Sequence, residues 1–211
     1  MNLKEHYWFF QSALPPKLCR EILEHGKNIN KEVGIVGGKP IYNLKGKQKK
    51  EALKELKTKR NSNVAWLNDP WIFNQIHPYI YSANKNAGWN FEWDWSESAQ
   101  FTMYGKGQYY NWHCDSWDEP YNNPQDKNVH GKCRKLSVTV SLNDSSEYEG
   151  GELEFDLRNK EPGVKTIVKC NQIKPMGSIV VFPSFIWHRV TPVTKGTRYS
   201  LVMWNLGYPF K

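Results

Sequence analysis

The sequence predicts an α+β fold in which helices pack on one side of a sheet, and three observations support this prediction. Up to about residue 88 apolar residues recur at helical spacing, whereas from Trp89 onward they alternate with polar residues, as they do on strands. Aromatic residues make up 14% of the chain and include ten tryptophans, which supply large side chains for a β core. A chain of 211 residues can bury a sizeable core, so we expect one domain over 1–211, helical over about 1–88 and β over about 89–211.

Three helices are predicted in the first part of the chain. Residues 16–27 begin with proline, which is tolerated in the first helical turn, and place leucine and isoleucine on one face. A glycine-rich loop is predicted over 31–46, followed by a strongly basic helix over 47–59. The third helix begins at 68–70, where a capping residue precedes proline, and Pro78 is predicted to kink or end it.

Short strands joined by turns are predicted in the second part. The first is expected at 89–95, where tryptophan and phenylalanine alternate with asparagine, glutamate and aspartate. Further strands are predicted at 136–142, 151–157, 165–170, 178–182, 186–190 and 197–204. Seven or eight short strands of this kind indicate a sandwich or a barrel. The connection over 116–134 is long, polar and proline-containing, so we expect a mobile lid or binding loop there.

The net charge of +8 is concentrated in one segment. Between residues 44 and 60, eight basic residues stand against two acidic ones, which places +6 of the +8 there. Two interpretations stay open, a solvated helix face and an electrostatic guide for an acidic partner. Arg60 is interpreted as the last charge of that solvated face.

Several classes of protein are excluded by composition. No apolar run approaches the roughly 18 residues that a membrane span needs, so no membrane partner is expected. The four cysteines are scattered without a CxxC pair, which predicts reduced thiols rather than a zinc ribbon or a disulfide framework. The first ten residues show no secretory signal, and we therefore expect a cytoplasmic protein.

The strongest chemical signal combines two histidines, an aspartate and an arginine. His113 and Asp115 are two positions apart, so on an extended strand both side chains point to one face and can hold one ion. Alone this pair is a weak signal, since a hydrogen-bonded histidine near a strand end is the common alternative. His188 follows 75 residues later, and two histidines with one carboxylate form the facial triad of non-haem Fe(II) oxygenases. A hairpin is predicted to carry Arg198 back beside the metal strand, where its guanidinium suits a carboxylate.

This order of residues resembles the 2-oxoglutarate and Fe(II)-dependent dioxygenases, most closely their prolyl 4-hydroxylase-like branch, which includes phage-encoded members. The similarity runs from about Gln100 to Trp204 and includes the segments Gly150–Phe155 and Gly177–Phe182. Residues 60–66 also look like an element that precedes the barrel in these enzymes. The resemblance implies a double-stranded β-helix, which is a form of jelly roll, with N-terminal helices packed on one sheet.

The resemblance also implies roles for five residues. His113, Asp115 and His188 would hold Fe(II), and Arg198 would pair with the distal carboxylate of 2-oxoglutarate. Tyr104 resembles the tyrosine that helps to bind the co-substrate in this branch, with a packed strand tyrosine as the alternative. The implied reaction converts 2-oxoglutarate to succinate and carbon dioxide while a C–H bond is hydroxylated, with ascorbate as reductant. Related halogenases have a small residue in place of the carboxylate ligand, so the retained aspartate favours hydroxylation.

The leading substrate hypothesis is a peptidyl proline on a peptide or protein. The tryptophans of 89–95 and the loop over 116–134 are candidate cleft walls, although a core position is the favoured interpretation of those tryptophans. A free amino acid or another small molecule is the first alternative, and nucleic-acid demethylation is the next, suggested by the basic helix. A noncatalytic jelly-roll binding module, such as a phage receptor-binding domain, is the alternative outside the enzymes. A phage-encoded enzyme would act in the host cytoplasm.

Overall fold

The computed structural model describes residues 3–29, 32–34, 45–158 and 166–210. Most of the loop predicted at 31–46, and the side chains of Lys49 and Leu53, lie outside the described residues. The described helices are α1 (Pro16–Asn28), α2 (Gly46–Lys59) and α3 (Pro70–Asn86). The strands are β1 (Trp8–Phe10), β2 (Glu32–Val33), β3 (Arg60–Asn61), β4 (Asn63–Leu67), β5 (Trp95–Ser96), β6 (Ala99–Tyr104), β7 (Tyr109–His113), β8 (Cys133–Ser141), β9 (Tyr148–Gly150), β10 (Leu153–Asp156), β11 (Ile167–Lys169), β12 (Ile179–Pro183), β13 (Trp187–Val190), β14 (Val193–Gly196) and β15 (Arg198–Gly207).

The strands form two principal antiparallel sheets. The major sheet has eight strands in the order β1-β12-β8-β15-β6-β4-β2, with β5 paired to β15, and the minor sheet has the order β11-β10-β13-β7-β3. A third, two-stranded sheet pairs β14 with β9. One cavity is lined by residues from both principal sheets, so the sheets face each other across it. This two-sheet arrangement confirms the predicted jelly roll.

The major sheet has one face toward the helices and one toward the cavity. Along β15, Leu201 and Met203 belong to the core shared with α1 and α3. The alternate residues Arg198, Ser200 and Val202 line the cavity. Because successive side chains of a strand point to opposite faces, β15 supplies side chains to the core on one face and to the cavity on the other. Helix α2 lies apart from the other two helices, because its contacts are with β3 and β7 of the minor sheet.

Pro78 does not end α3, which was one of the two outcomes that the sequence predicts. The helix continues through it to Asn86, although proline lacks the N–H that would bond one turn back. Ile76, Ile80 and Ala83 lie on both sides of Pro78 and are completely buried against the major sheet. Burial of this stripe outweighs the missing hydrogen bond, so tertiary packing overrides the local signal.

The prediction of a strand over 89–95 is wrong for most of that segment. Strand β5 contains Trp95 and Ser96, whereas residues 89–94 have no regular structure. Trp89 and Phe91 are nevertheless buried, whereas the residues that follow each of them, Asn90 and Glu92, are exposed. The alternation in sequence therefore reflects burial of alternate side chains and not strand pairing. The other predicted strands are confirmed as β8, β10, β11, β12, β13 and β15. The structure adds very short strands such as β1, β2 and β3 at the sheet edges, which are too brief to show an alternation in sequence. It also adds β4 and β6 within the major sheet, where β6 is buried on both faces and so shows no alternation.

None of the helices in the described ranges is both long and apolar enough to traverse a membrane.

Candidate metal centre

A bulge between β7 and β13 aims two aromatic rings into the same cavity. His188 pairs with His113 and Val190 pairs with Tyr110, so β7 carries one more residue than β13 between these pairs. On a regular strand Tyr110 and His113, three positions apart, would point to opposite faces, and the bulge brings them to the same face. The two rings stack, with centroids 3.4 Å apart. The sequence pattern gives no sign of this bulge, and Tyr110 was not predicted to belong to the site.

His113, Asp115 and His188 come together as predicted. Their ligand atoms all lie within 4.8 Å of one another. The carboxylate oxygens of Asp115 are 3.7 Å from His113 Nε2 and 3.5 Å from His188 Nε2. Adjacent ligands of an octahedral ion with bonds of about 2.1 Å are about 3.0 Å apart, so small side-chain rotations close the site. The two histidines are neighbours on paired strands of one sheet, rather than facing each other from opposite sheets.

Both imidazoles are oriented by backbone carbonyls. The Nδ1 atom of His113 lies 2.7 Å from the carbonyl oxygen of Asn111, and Nδ1 of His188 lies 2.9 Å from that of Ile186. A carbonyl can only accept, so Nδ1 carries the proton in each ring and Nε2 offers its lone pair to the site. This tautomer is the one that ligates a metal through Nε2.

The protonation states of the cluster favour cation binding. Burial lowers the pKa of His113 to about 3, with charge on His188 as the next cause, so His113 is neutral and able to ligate. Burial alone would raise the pKa of Asp115, but the facing His188 and His113 hold it down at about 2. Ser137 donates a 2.7 Å hydrogen bond to Asp115 Oδ2, and the hydroxyls of Ser137 and Ser184 lie 2.9 Å apart. The carboxylate is therefore ionised and held in one orientation.

Arg198 lines the same cavity from the major sheet. It is 3% exposed, and its Nη1 donates a 3.1 Å hydrogen bond to Ser200, a neutral group. Among the residues that the structure describes, it makes no ion pair. A buried charge without a partner is costly, so this guanidinium is suited to an anion that enters the cavity. The cavity, including its opening to solvent, has a volume of about 460 Å³.

The predicted route of Arg198 into the site is wrong in one respect. The strand that carries it does not return beside β13, because β14 pairs with β9 and β15 then joins the major sheet between β6 and β8. Arg198 is thus paired with Tyr104 and reaches the cavity from the sheet opposite the cluster. Two cations close to His188 and Arg198 in sequence already have partners, since Arg189 binds Glu154 and Lys195 binds Glu149.

Tyr104 and Arg60 also lie in the cavity wall. Tyr104 is 3% exposed, and the Arg198 guanidinium lies 5.6 Å from its ring centroid. Arg60 is 4% exposed, so its interpretation as the last charge of a solvated helix face is wrong. Helix α2 ends before it, and β3 then turns the Arg60 side chain inward beside Tyr110. A single residue after a basic run carries no local pattern that predicts this change of direction.

The aromatic walls near the cavity differ from those predicted. Trp89 is a core residue, in agreement with the favoured interpretation of that segment. Trp204 lines the cavity and is 5% exposed, and its indole nitrogen has no hydrogen-bond partner among the described residues. Trp66 lies 6.2 Å from Trp204 between centroids and is exposed to solvent. These indoles, rather than those of 89–95, form the aromatic rim.

The loop over 116–134 is held by two ion pairs, Arg134 with Glu97 and Lys132 with Asp94. Arg134 donates a 2.8 Å hydrogen bond to Glu97 and stacks on Trp204 at 3.9 Å. The hydroxyl of Tyr121, in the middle of the loop, donates a 2.7 Å hydrogen bond to the same carboxylate. Trp117 lies over Arg134 at 4.9 Å and remains half exposed. The loop is therefore attached beside the cavity, and its mobility stays a prediction.

Comparison with known proteins agrees with this geometry. The profile of the 2OG-Fe(II) oxygenase superfamily matches residues 99–205, about half of the chain. A PKHD-type hydroxylase of Synechococcus sp. (strain CC9902) is 37% identical over 102 residues, which cover 48% of this chain and 38% of that protein. A PKHD-type hydroxylase of Hyphomonas neptunium is 43% identical over 70 residues, covering 33% of this chain and 27% of that protein. The chain thus matches well under half the length of these relatives.

Solved structures share the whole architecture at low identity. A prolyl-4-hydroxylase of Pseudomonas putida has a TM-score of 0.64 at 18% identity, with 96% of this chain and 93% of that chain covered. The viral collagen prolyl hydroxylase of Paramecium bursaria Chlorella virus-1, in its 2OG complex, has a TM-score of 0.62 at 18% identity, and 97% of each chain is covered. A Trichoplax adhaerens prolyl hydroxylase in complex with a hypoxia inducible factor peptide fragment has a TM-score of 0.58 at 18% identity, covering 96% and 84%. These similarities establish the fold.

Proposed function

Because this chain belongs to the 2OG-Fe(II) oxygenase superfamily, we propose that it hydroxylates a C–H bond with Fe(II) and 2-oxoglutarate. The observation that carries the proposal is the pairing of a buried His-Asp-His cluster with a buried, unpaired arginine across one cavity. The bound ion would supply oxygen activation, coupled to decarboxylation of 2-oxoglutarate to succinate. Ascorbate is the proposed reductant that keeps the iron in its Fe(II) state.

The residues of the cavity have separate tasks in this proposal. His113, Asp115 and His188 would hold the ion, through two imidazole nitrogens and one carboxylate, a ligand set that leaves positions for the substrates. Arg198 binds the distal carboxylate of 2-oxoglutarate, and the buried Tyr104 beside it supplies a phenolic hydroxyl to the same end of the co-substrate. Apolar burial around Arg198 excludes water, which strengthens the charge-assisted bond.

A peptidyl proline is the proposed substrate. The fold is shared with three prolyl hydroxylases, one of them bound to a peptide, and the cluster lies beside a half-open cavity with an exposed aromatic rim. Trp66 of the rim and Trp117 of the adjacent loop are exposed and offer flat apolar faces, which suit the pyrrolidine ring and extended backbone of a proline-rich chain.

The test is turnover in the presence of peptides. Purified protein is incubated with Fe(II), ascorbate, 2-oxoglutarate and a proline-centred peptide library, and products are read as succinate and as mass gains of one oxygen. The matched controls are His188→Ala and Asp115→Ala, in which we expect folded protein without coupled turnover. Succinate formation at the wild-type rate by either variant would remove these residues from the site.

The same assay separates the alternatives. A noncatalytic binding module produces no succinate, whereas a small-molecule hydroxylase produces it with free L-proline or another amino acid and leaves the peptides unchanged. A demethylase releases formaldehyde from methylated oligonucleotides. Peptide oxidation that depends on 2-oxoglutarate is the expected result.

A further inference from the structure

Arg60 is a second buried guanidinium in the cavity, and its contacts are all neutral. Its Nε donates a 2.8 Å hydrogen bond to Ser62 Oγ, and its Nη2 donates a 2.6 Å hydrogen bond to Gln100 Oε1. The guanidinium lies over the Tyr110 ring at 4.5 Å, and Tyr110 in turn stacks on His113. These contacts orient the guanidinium, but they do not compensate its charge. Among the described residues no carboxylate forms an ion pair with it.

The backbone around Arg60 is shaped to hold this side chain. Gly34 bonds through its N–H to the carbonyl of Ser62, at 2.9 Å, and lies directly against the guanidinium. A Cβ at this position would lie 2.3 Å from Ser62 Oγ and 2.7 Å from Arg60 Nε. Glycine is therefore required for the chain to approach so closely. Arg60 occupies a fitted position rather than a chance conformation of a surface residue.

The charges that line the cavity leave one positive charge uncompensated. Apart from the two histidines, the charged residues of the lining are Arg60, Arg198 and Asp115, which sum to +1. A divalent ion and a dianionic 2-oxoglutarate cancel each other and leave this balance unchanged. Arg198 is committed to the co-substrate in the proposed function, which leaves Arg60 for the second substrate. A water-poor cavity binds a further anion more favourably than it tolerates an unpaired charge.

We propose that Arg60 binds a carboxylate of the hydroxylated substrate, so that the target peptide carries an acidic group beside the residue that is oxidised. This inference rests on the proposed function. The carboxylate is either an aspartate or glutamate side chain next to the proline, or the C-terminal carboxylate of a chain that ends in proline. Helix α2 supports the same polarity, because it leads directly into Arg60 and its lysines at 45, 47, 50, 54, 57 and 59 are exposed.

The test compares carboxylate and amide probes in matched pairs. The first pair is a blocked peptide with glutamate on both sides of one proline, and the same peptide with glutamine there. The second pair ends in proline, as the free acid or as the amide, and the third is L-proline with L-prolinamide. Binding to protein loaded with Fe(II) and 2-oxoglutarate is measured under argon by tryptophan fluorescence, so that the readout does not require turnover.

We expect the wild type to bind the carboxylate member of at least one pair about tenfold or more tightly than its amide, as a charge-assisted bond predicts. Arg60→Met should reduce that preference to less than about twofold, and Arg60→Lys should restore part of it as a point charge. Lys59→Met removes the adjacent exposed charge and should retain the full preference. The 2-oxoglutarate affinity of each variant reports whether its cavity is still folded.

Equal binding within all three pairs by the wild type would overturn the inference without any variant, as would a preference that survives in folded Arg60→Met. Hydroxylation of the neutral peptides without preference leaves the proposed function intact and removes the inference alone. If L-proline binds through Arg60 while no peptide is oxidised, the role of Arg60 in binding a substrate carboxylate stands, and the proposal that the substrate is a peptide fails. If none of the six probes binds to protein that binds 2-oxoglutarate, both are overturned.

Discussion

At His113 and His188 the orientation of the imidazole is set from the side that faces away from the cavity. Each Nδ1 is held by a carbonyl close to its own strand, so the two rings keep their direction without an ion. The carboxylate of Asp115 instead accepts a hydrogen bond from the hydroxyl of Ser137, which lies on the opposing sheet. The carboxylate is thus the ligand whose position requires both sheets.

Ser137→Ala should weaken metal binding without removing a ligand. Loss of a hydrogen bond that orients a ligating carboxylate typically costs about 10- to 100-fold in affinity, and we expect a change in that range. The measurement is a Co(II) titration followed by visible absorption, which needs no turnover. Ser141→Ala is the matched control, because Ser141 is a buried serine of the same strand whose hydroxyl bonds to Asn143 instead. Equal affinities in the two variants would contradict a role for Ser137.

Arg198→Met should separate co-substrate binding from metal binding. The change removes a charge-assisted bidentate donor while the three ligands remain, so we expect the dissociation constant of 2-oxoglutarate to rise by about tenfold or more. The Co(II) affinity should change by less than about threefold, since nothing in the cluster is lost. Arg189→Met provides the control, because Arg189 is already paired with Glu154. Unchanged 2-oxoglutarate binding in Arg198→Met would mean that another group holds the co-substrate.

The residues of the site were predictable from sequence to different degrees. The spacing of His113, Asp115, His188 and Arg198 is a pattern in the chain, and its members lie in one cavity. Tyr110 enters through a bulge and Arg60 through a short edge strand, and neither event has a local signature. The inward position of Arg60 depends on Gly34, Ser62 and Gln100, which only the tertiary structure brings together.

Segment 89–94 shows why alternation does not by itself predict a strand. Its side chains alternate between buried and exposed, yet its backbone bonds over 89–91 go to Asn84 of α3. The segment meets a strand at Asp94, whose N–H donates to the carbonyl of Leu206 in β15. The side chain of Asn84 supplies two of the bonds over 89–91, donating to the carbonyl of Phe91 at 2.8 Å and accepting from the Phe91 N–H at 2.9 Å. One buried amide therefore takes the place of a partner strand.

Asn84→Ala should destabilise the protein measurably. Two buried backbone groups of Phe91 lose their partners, so we expect the free energy of unfolding to fall by about 2 kcal/mol. Urea denaturation followed by tryptophan fluorescence measures the change. Asn86→Ala, at the exposed end of the same helix, should shift the free energy by less than about 0.5 kcal/mol. A similarly small shift in Asn84→Ala would show that water replaces the amide without cost.

Tyr121→Phe should loosen the loop over 116–134. The substitution removes the hydroxyl that bonds to Glu97 but keeps the ring that packs on Trp117. We expect trypsin to cleave after the exposed Lys127 severalfold faster than in the wild type, because local opening becomes easier. Tyr81→Phe, in which an exposed ring changes far from the loop, is the control.

Binding of a productive peptide should reverse this effect. If the loop closes over an extended chain, cleavage after Lys127 slows when the peptide is present with 2-oxoglutarate. Equal cleavage rates in the wild type and in Tyr121→Phe would indicate that the Arg134–Glu97 and Lys132–Asp94 pairs hold the loop without the Tyr121 hydroxyl.

At the scale of the whole molecule, the two kinds of positive charge have different surroundings. The charges of α2 are exposed to solvent, whereas Arg60 and Arg198 are buried between the sheets. Exposed charges act over a screening length of about 8 Å at physiological salt, and buried ones are screened much less. Added salt should therefore weaken the binding of partners to the exposed helix more than it weakens the binding of ligands inside the cavity.

This separation distinguishes a peptide substrate from a nucleic acid. Replacement of Lys47, Lys50, Lys54 and Lys57 by glutamine should lower kcat/KM for an acidic peptide by no more than a fewfold, since each exposed charge contributes little. For single-stranded DNA each phosphate contact adds about 0.7 to the slope of log affinity against log salt, so the same variant would lose a slope of about 3. We expect weak DNA binding and salt-tolerant peptide turnover, measured side by side from low to physiological salt. Tight, steeply salt-dependent DNA binding with demethylation would instead indicate that the cavity binds a flipped base. The Arg60 guanidinium would then bind a phosphate of the DNA and not a carboxylate of a peptide.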